Sequence, residues 1–226
     1  MIRQRLLVAA FAALGAVCAT CPIVASAQEA KAQAPAGAAP DLARAQQIVS
    51  QVCAACHGGE GTSPTPAYPN LAGQPADYIT VQLMHFKSGV RANPIMQPMA
   101  APLTDAEMKA LGVFFSQKQA RPSTAQNAAT VALAQRVWRG GDATAEVPAC
   151  ASCHGPDGAG VPKNFPRLGG QHEEYTYAQL QAFKSGQRGG ADKAAKDPNG
   201  AIMATIAGRL TDAQMKALAD YAQGLR

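Results

Sequence analysis

Past residue 27 this 226-residue sequence contains no apolar run approaching the roughly 20 residues that a membrane-spanning helix needs. A bitopic or polytopic reading of that part of the chain is thereby excluded. Lysine and arginine never cluster with interleaved aromatics, so the footprint of a nucleic-acid-binding surface is missing. Aromatic residues make up only 5% of the chain, too little for a half-chain of about 100 residues to build a large core from side chains alone. Alternating strand patterns flanking helical ones are also wanting, which argues against a parallel sheet. The six cysteines fall into two near the N-terminus and four in a repeated motif, leaving none elsewhere for a disulfide framework or an additional thiolate ligand.

The N-terminal residues are organised differently. Arg3 and Arg5 precede an apolar run from Leu6 to Val17, and Ala25-Ser26-Ala27 follows. Charged region, short hydrophobic region and small-residue cleavage site occur in the order of a secretory signal peptide, so cleavage after Ala27 and export to the periplasm are expected. Removing Arg3 and Arg5 with the leader leaves 18 basic against 15 acidic residues, a formal charge of +3.

The remaining chain is an internal duplication. Cys53-Ala54-Ala55-Cys56-His57-Gly58 recurs as Cys150-Ala151-Ser152-Cys153-His154-Gly155, at an offset of 97. The same offset relates Pro69-x-Leu71-x-Gly73-Gln74 to Pro166-x-Leu168-x-Gly170-Gln171, Tyr78 to Tyr175, and Phe86-Lys87-Ser88-Gly89 to Phe183-Lys184-Ser185-Gly186. It then becomes 107, where Met96 matches Met203 and Leu103-Thr104-Asp105-Ala106 matches Leu210-Thr211-Asp212-Ala213. The second copy therefore carries about ten extra residues near 189–200, rich in Gly, Lys, Asp and Pro, which read as a loop. Residues 28–40 are expected to be a disordered segment, 41–118 the first domain, 119–130 a linker and 131–226 the second domain. Each copy reads as helical. Helices are expected near 42–52, 76–86, 131–139 and 173–183, and capping-box spacing at Thr104/Glu107 and Thr211/Gln214 opens a last helix in each copy.

CxxC followed directly by His, present twice, is the attachment signature of a c-type haem. Sulfurs three positions apart reach the two vinyl groups on one porphyrin edge, and the adjacent imidazole is delivered beneath the iron. Cys53, Cys56, Cys150 and Cys153 are thus the candidate covalent anchors of two haems, with His57 and His154 as proximal ligands. A dithiol redox pair or a zinc site are the alternatives. The former lacks its strand-helix context and the latter lacks a fourth ligand in each copy.

On the opposite face of the iron, Met96 and Met203 are the candidates, since they correspond and are expected in loops seven residues before the last Leu-Thr. Met99 corresponds to Ile206, Met84 to Gln181, and Met108 and Met215 fall on the core face of the last helix. His85 and His172 correspond to Ala182 and Pro75, so a shared bis-histidine arrangement is disfavoured. The Pro69 and Pro166 carbonyls are expected to accept the second imidazole N–H of the proximal histidines. Arg91/Arg188, Lys87/Lys184 and Tyr78/Tyr175 are repeated polar residues, readable either as propionate contacts or as solvated surface.

This set of residues, with the closing Tyr221-x-x-Gly224-Leu225, resembles the dihaem cytochrome c4 family across residues 41–226. The resemblance implies an all-α chain of two tandem cytochrome c-like domains related by pseudo-twofold symmetry. It further implies propionate edges near the domain interface, His57 with Met96 and His154 with Met203 as axial pairs, and non-enzymatic electron transfer between a quinol-oxidising complex and a terminal oxidase. An electron-accepting subunit of a periplasmic dehydrogenase, or a dihaem peroxidase or thiosulfate-oxidising enzyme, remain the competing classes. Peripheral association with a membrane also stays open.

Overall fold

The structure, a computed structural model, describes residues 39–226; the expected leader and most of the 28–40 segment lie outside the described residues. Among the described residues ten α-helices form two groups of five. The first group comprises α1 (Leu42–Ile48), α2 (Ala54–His57), α3 (Ala76–Ser88), α4 (Met96–Ala100) and α5 (Asp105–Ser116). The second comprises α6 (Ala128–Gly140), α7 (Ala151–His154), α8 (Glu173–Lys184), α9 (Pro198–Arg209) and α10 (Asp212–Gln223). Among the described residues β-structure is limited to two isolated bridges, Asp142 to Val147 and Val161 to Phe165.

The last helix organises each group: α1 and α3 pack on α5, as α6 and α8 pack on α10. Both last helices begin with the reciprocal capping box expected for them, the threonine side chain accepting from the third helical N–H while Glu107 or Gln214 accepts from the cap N–H. That satisfies two otherwise orphaned donors at each start. The buried stripes correspond closely: Leu103, Met108, Leu111 and Phe114 in one core, Leu210, Met215, Leu218 and Tyr221 in the other. The first helices match as well, at an offset of 89. Ala45, Ile48 and Val49 occupy the places of Ala134, Val137 and Trp138, all buried. Trp138 is the larger plug, and its indole N–H donates to the Pro156 carbonyl at 3.2 Å.

Two expectations are corrected. The helix near 42–52 does not stop there: α1 passes through a π-helical turn, Val49–Cys53, directly into α2 and the CxxCH motif. Nor are the two matched methionines in loops. Met96 is the first residue of α4, and Met203 lies well inside α9. Both helices start from an Asx-Pro pair that a Gly- and Pro-rich composition conceals. The Asn93 side chain accepts from the Met96 N–H at 2.8 Å and that of Asp197 from Gly200 N–H at 2.9 Å, with Pro198 at the first helical position. Of the 189–200 stretch, one 3-10 turn (Ala191–Lys193) and the first turn of α9 are helical.

The connection between the groups is tied down at both ends. A Cβ on Gly73 would lie 3.3 Å from Ala120, and one on Gly170 would lie 2.8 Å from the Arg121 carbonyl, so consecutive residues of this strap cross the corresponding turn of each copy. Its far end is held by the buried Asp220 carboxylate, which accepts from the N–H groups of Gln126 and Asn127 at 2.6 and 3.1 Å.

The copies differ where their long helices cross. A Cβ on Gly112 of α5 would lie 2.4 Å from the Ala76 carbonyl of α3, whereas the corresponding crossing in the second copy accommodates Ala219, fully buried. Gly112→Ala must therefore push α3 away, and it is expected to destabilise the protein by about 1–3 kcal/mol. Gly208→Ala on α9, where a Cβ meets nothing within 4 Å, is expected to stabilise by about 0.5–1 kcal/mol. Denaturant unfolding of the two variants checks the opposite signs.

Candidate haem sites

Each CxxCH motif sits where a helix ends. The Gly58 N–H closes α2 on the Ala54 carbonyl and the Gly155 N–H closes α7 on that of Ala151. Both glycines then adopt positive φ, +73° and +82°. At Gly58 a Cβ would fall 2.3 Å from the Thr62 carbonyl, so the motif's trailing glycine is required for the chain to leave the helix this sharply.

That exit carries the chain round to the Pro-x-Leu-x-Gly-Gln segment, which is anchored identically in both copies. Leu71 and Ala72 donate to the Gly61 carbonyl, as Leu168 and Gly169 donate to Gly158. Gly73 donates to Phe115 on α5, as Gly170 donates to Ala222 on α10. The segment's proline is thereby placed beside the motif histidine: His57 Nδ1 lies 2.9 Å from the Pro69 carbonyl and His154 Nδ1 lies 2.9 Å from that of Pro166. A carbonyl can only accept, so Nδ1 carries the proton and Nε2 presents its lone pair. The rings are 7% and 6% exposed, and burial pushes both imidazoles below the ordinary histidine range. Each is a neutral imidazole with a fixed tautomer, its Nε2 free to act as a nitrogen donor.

The four thiols are unpaired. Burial pushes Cys53 and Cys150 up to about 11, which keeps them protonated at neutral pH. Zinc binding and thiol-disulfide exchange both need the thiolate, and among the described residues no group of three or more His, Cys, Asp or Glu is arranged to hold a metal ion. A pair of cysteines three positions apart beside a preoriented imidazole, one of the pair held protonated by burial in each copy, fits thioether attachment of haem instead.

Of the described methionines, Met108 and Met215 are buried in the two cores, Met84 packs against the first, and Met99 is 43% exposed. Met96 and Met203 are half-buried and belong to neither hydrophobic cluster. Of the remaining histidines, His172 reaches across the copies, its Nε2 3.1 Å from the Ser63 carbonyl, whereas the buried His85 Nδ1 has no hydrogen-bond partner among the described residues, an Asp197 carboxylate oxygen lying 3.9 Å away. Two neighbours of the proximal histidines were not singled out from the sequence. The Tyr68 ring meets His57 edge-on at 6.4 Å and the Phe165 ring meets His154 at 6.2 Å. The signal was present, since an aromatic precedes the motif proline in both copies.

The repeated polar residues form the contact between the domains. The Arg91 guanidinium donates to Gln82, Tyr175 and Gln179 at 2.7–2.8 Å. That of Arg188 donates to Gln179, Tyr78 and Gln82 at 2.9–3.1 Å. Each glutamine oxygen bridges both arginines, each tyrosine serves the arginine of the other domain, and the guanidiniums stack over Phe86 and Phe183. Lys87 and Lys184 instead donate to the backbone carbonyls of Leu103 and Leu210 within their own domains.

Comparison with known proteins agrees with this geometry. Residues 139–226 match the family described as cytochrome c, and residues 40–114 match that described as cytochrome c oxidase, cbb3-type, subunit III. A cytochrome c4 from Thiocapsa roseopersicina is 42% identical over 77% of this chain and 87% of its own length. A thiosulfate dehydrogenase electron acceptor from Thiomonas intermedia is 41% identical over 75% of this chain and 76% of its own. The crystal structure of reduced recombinant cytochrome c4 from Pseudomonas stutzeri superposes with a TM-score of 0.75 at 35% identity, covering 83% of this chain and all of that one. Two haem c groups are accordingly bound covalently, at Cys53/Cys56 and Cys150/Cys153. With its fold shared by a cytochrome c4 structure and its sequence by several cytochromes c4, the chain belongs to the cytochrome c4 family of dihaem electron-transfer proteins.

Proposed function

We propose that this cytochrome carries electrons in the periplasm from a quinol-oxidising complex to a terminal oxidase, through two irons each held between a histidine and a methionine. When bound, haem c supplies a one-electron ferric/ferrous couple. His57 and His154 would ligate the iron through Nε2, and the thioethers of Met96 and Met203 would supply its sulfur ligands. The observation that carries this reading is the tautomer lock on both histidines, at the same 2.9 Å distance in both domains. Beside it stands a matched pair of half-buried methionines committed to neither core. A soft thioether favours ferrous iron and raises the potential relative to two nitrogen ligands, which suits the oxidising end of a chain. With a histidine and a methionine on each iron, substrates would have no open site. Among the described residues no helix is long and apolar enough to cross a membrane, and peripheral contact with its surface fits a carrier serving membrane-bound partners.

A second reading has a specific observation in its favour: one relative at 41% identity is named as the electron acceptor of a thiosulfate dehydrogenase. Here too the chain transfers electrons, but its donor is a periplasmic dehydrogenase. Stopped-flow reduction by a quinol-oxidising complex, compared with reduction by a thiosulfate dehydrogenase supplied with thiosulfate, decides between the two. The faster donor at equal concentration identifies the physiological route. Four propionate charges offset the +3 of the chain without its leader, so either rate is expected to change only weakly with ionic strength.

The ligand assignment makes its own demands. The oxidised protein is expected to show a methionine-to-iron charge-transfer band, and the reduced protein no response to carbon monoxide. Met203→Ala should open the second iron to carbon monoxide and lower that haem's potential while the first keeps its own. Two six-coordinate haems with unchanged potentials in that variant would remove Met203 as a ligand.

A further inference from the structure

The turn that fixes each proximal histidine is not completed within its own domain. Pro69 and Asn70 share one peptide group. Its carbonyl accepts from His57 Nδ1 at 2.9 Å, and its N–H, that of Asn70, donates to Gln171 Oε1 of the second domain at 2.8 Å. Gln171 closes the clamp by donating from Nε2 to the Asn70 carbonyl at 2.9 Å. The opposite arrangement is its mirror. The Pro166–Arg167 peptide accepts from His154 Nδ1 at 2.9 Å and donates to Gln74 Oε1 of the first domain at 3.0 Å, and Gln74 Nε2 donates to the Arg167 carbonyl at 2.7 Å. Both glutamines are 5% exposed. A backbone N–H can only donate and a carbonyl only accept, so neither amide can be turned over without losing both bonds.

Hydrogen bonds at the two ends of one peptide strengthen each other. An acceptor on the N–H pushes electron density toward the carbonyl oxygen, which then draws the imidazole proton more strongly. The ring nitrogen facing the iron becomes more basic, as with other partners held behind a metal-bound histidine, and a more basic ligand favours ferric iron. The relay has three links: glutamine, peptide, imidazole.

We propose that Gln171 and Gln74 are positioning residues acting across the domain interface, each setting through one peptide bond the donor strength of the proximal histidine in the opposite domain, and with it that haem's reduction potential. The inference rests on the reading of His57 and His154 as axial ligands. It assigns to the glutamine of the Pro-x-Leu-x-Gly-Gln segment a crossed role: the second copy's glutamine tunes the first haem, and the first copy's tunes the second.

The test uses the holoprotein with both haems. Gln171→Met keeps the side-chain volume and removes both bonds of the clamp, together with the one that the same Oε1 accepts from the His172 N–H at 3.1 Å. It should shift the ferric/ferrous equilibrium of the first-domain haem toward ferrous by about threefold to tenfold, roughly 30–60 mV at 59 mV per decade for one electron, and leave the second haem in place. Gln74→Met should move the second haem and leave the first. In the reduced, diamagnetic protein the Nδ1 proton resonance of His57 should shift in the first variant and that of His154 in the second. Gln171→Leu, smaller and equally unable to hydrogen-bond, should move the first haem in the same sense, and it stands in if the methionine variant does not assemble. Displacement of both haems together, or of only the haem in the mutated domain, would overturn the relay and leave the glutamines as an interface clamp. If the wild-type Nδ1 protons showed no displacement by a neighbouring haem, the axial reading itself would fall instead.

Discussion

A buried imidazole whose single N–H is given to a proline carbonyl is the constraint around which each domain is arranged. An unpaired nitrogen there would carry the cost of desolvation without compensation, and the other tautomer would set the Nδ1 lone pair against that of the carbonyl oxygen. Holding the carbonyl in place needs the positive-φ glycine that ends the motif helix, the two bonds to Gly61 or Gly158, and the tether from Gly73 or Gly170 to the last helix. The last helix in turn needs its capping box and the buried stripe beneath it. Removing any of these loosens the same atom.

The duplication gives the two copies a natural way to meet. Residues facing the pseudo-twofold axis need only be compatible with their own counterparts, and the Arg-Tyr-Gln set achieves this by exchanging partners: guanidiniums of one copy reach tyrosines of the other, while the glutamines serve both. Two cations so close to each other repel, and the carbonyl oxygens of Gln82 and Gln179, the tyrosine hydroxyls and the faces of Phe86 and Phe183 are what surround them. The contact is largely polar, so its specificity comes from hydrogen-bond geometry more than from apolar area.

What could be seen in the sequence was local or repeated. Capping boxes, the CxxCH geometry and the proline carbonyl involve residues within a turn or a short loop, and the duplication tests each of them twice. Met96 and Met203 could be singled out by their match but not placed on helices, because an Asx-Pro start inside a Gly- and Pro-rich stretch reads as loop. The role of Arg91 and Arg188 stayed ambiguous for a different reason. Their cross-domain partners lie 84–110 residues away along the chain, and no periodicity encodes a partner in another domain. Gln74 and Gln171 were visible as the end of a motif, yet the backbone each one clamps belongs to the other copy.

Trp138 also follows from the divergence of the two cores. Where the first copy closes its core with Val49, the second uses an indole whose ring centre lies 6.5 Å from that of His154, and the sequence contains no other tryptophan. The protein is therefore optically lopsided. A haem attached at Cys150 and Cys153 accepts excitation energy from the indole and keeps it dark in the native state, so emission at tryptophan wavelengths appears only when the second domain comes apart. The first domain can unfold unseen by that channel, and a fluorescence melting curve of this two-domain chain reads the stability of only one of them.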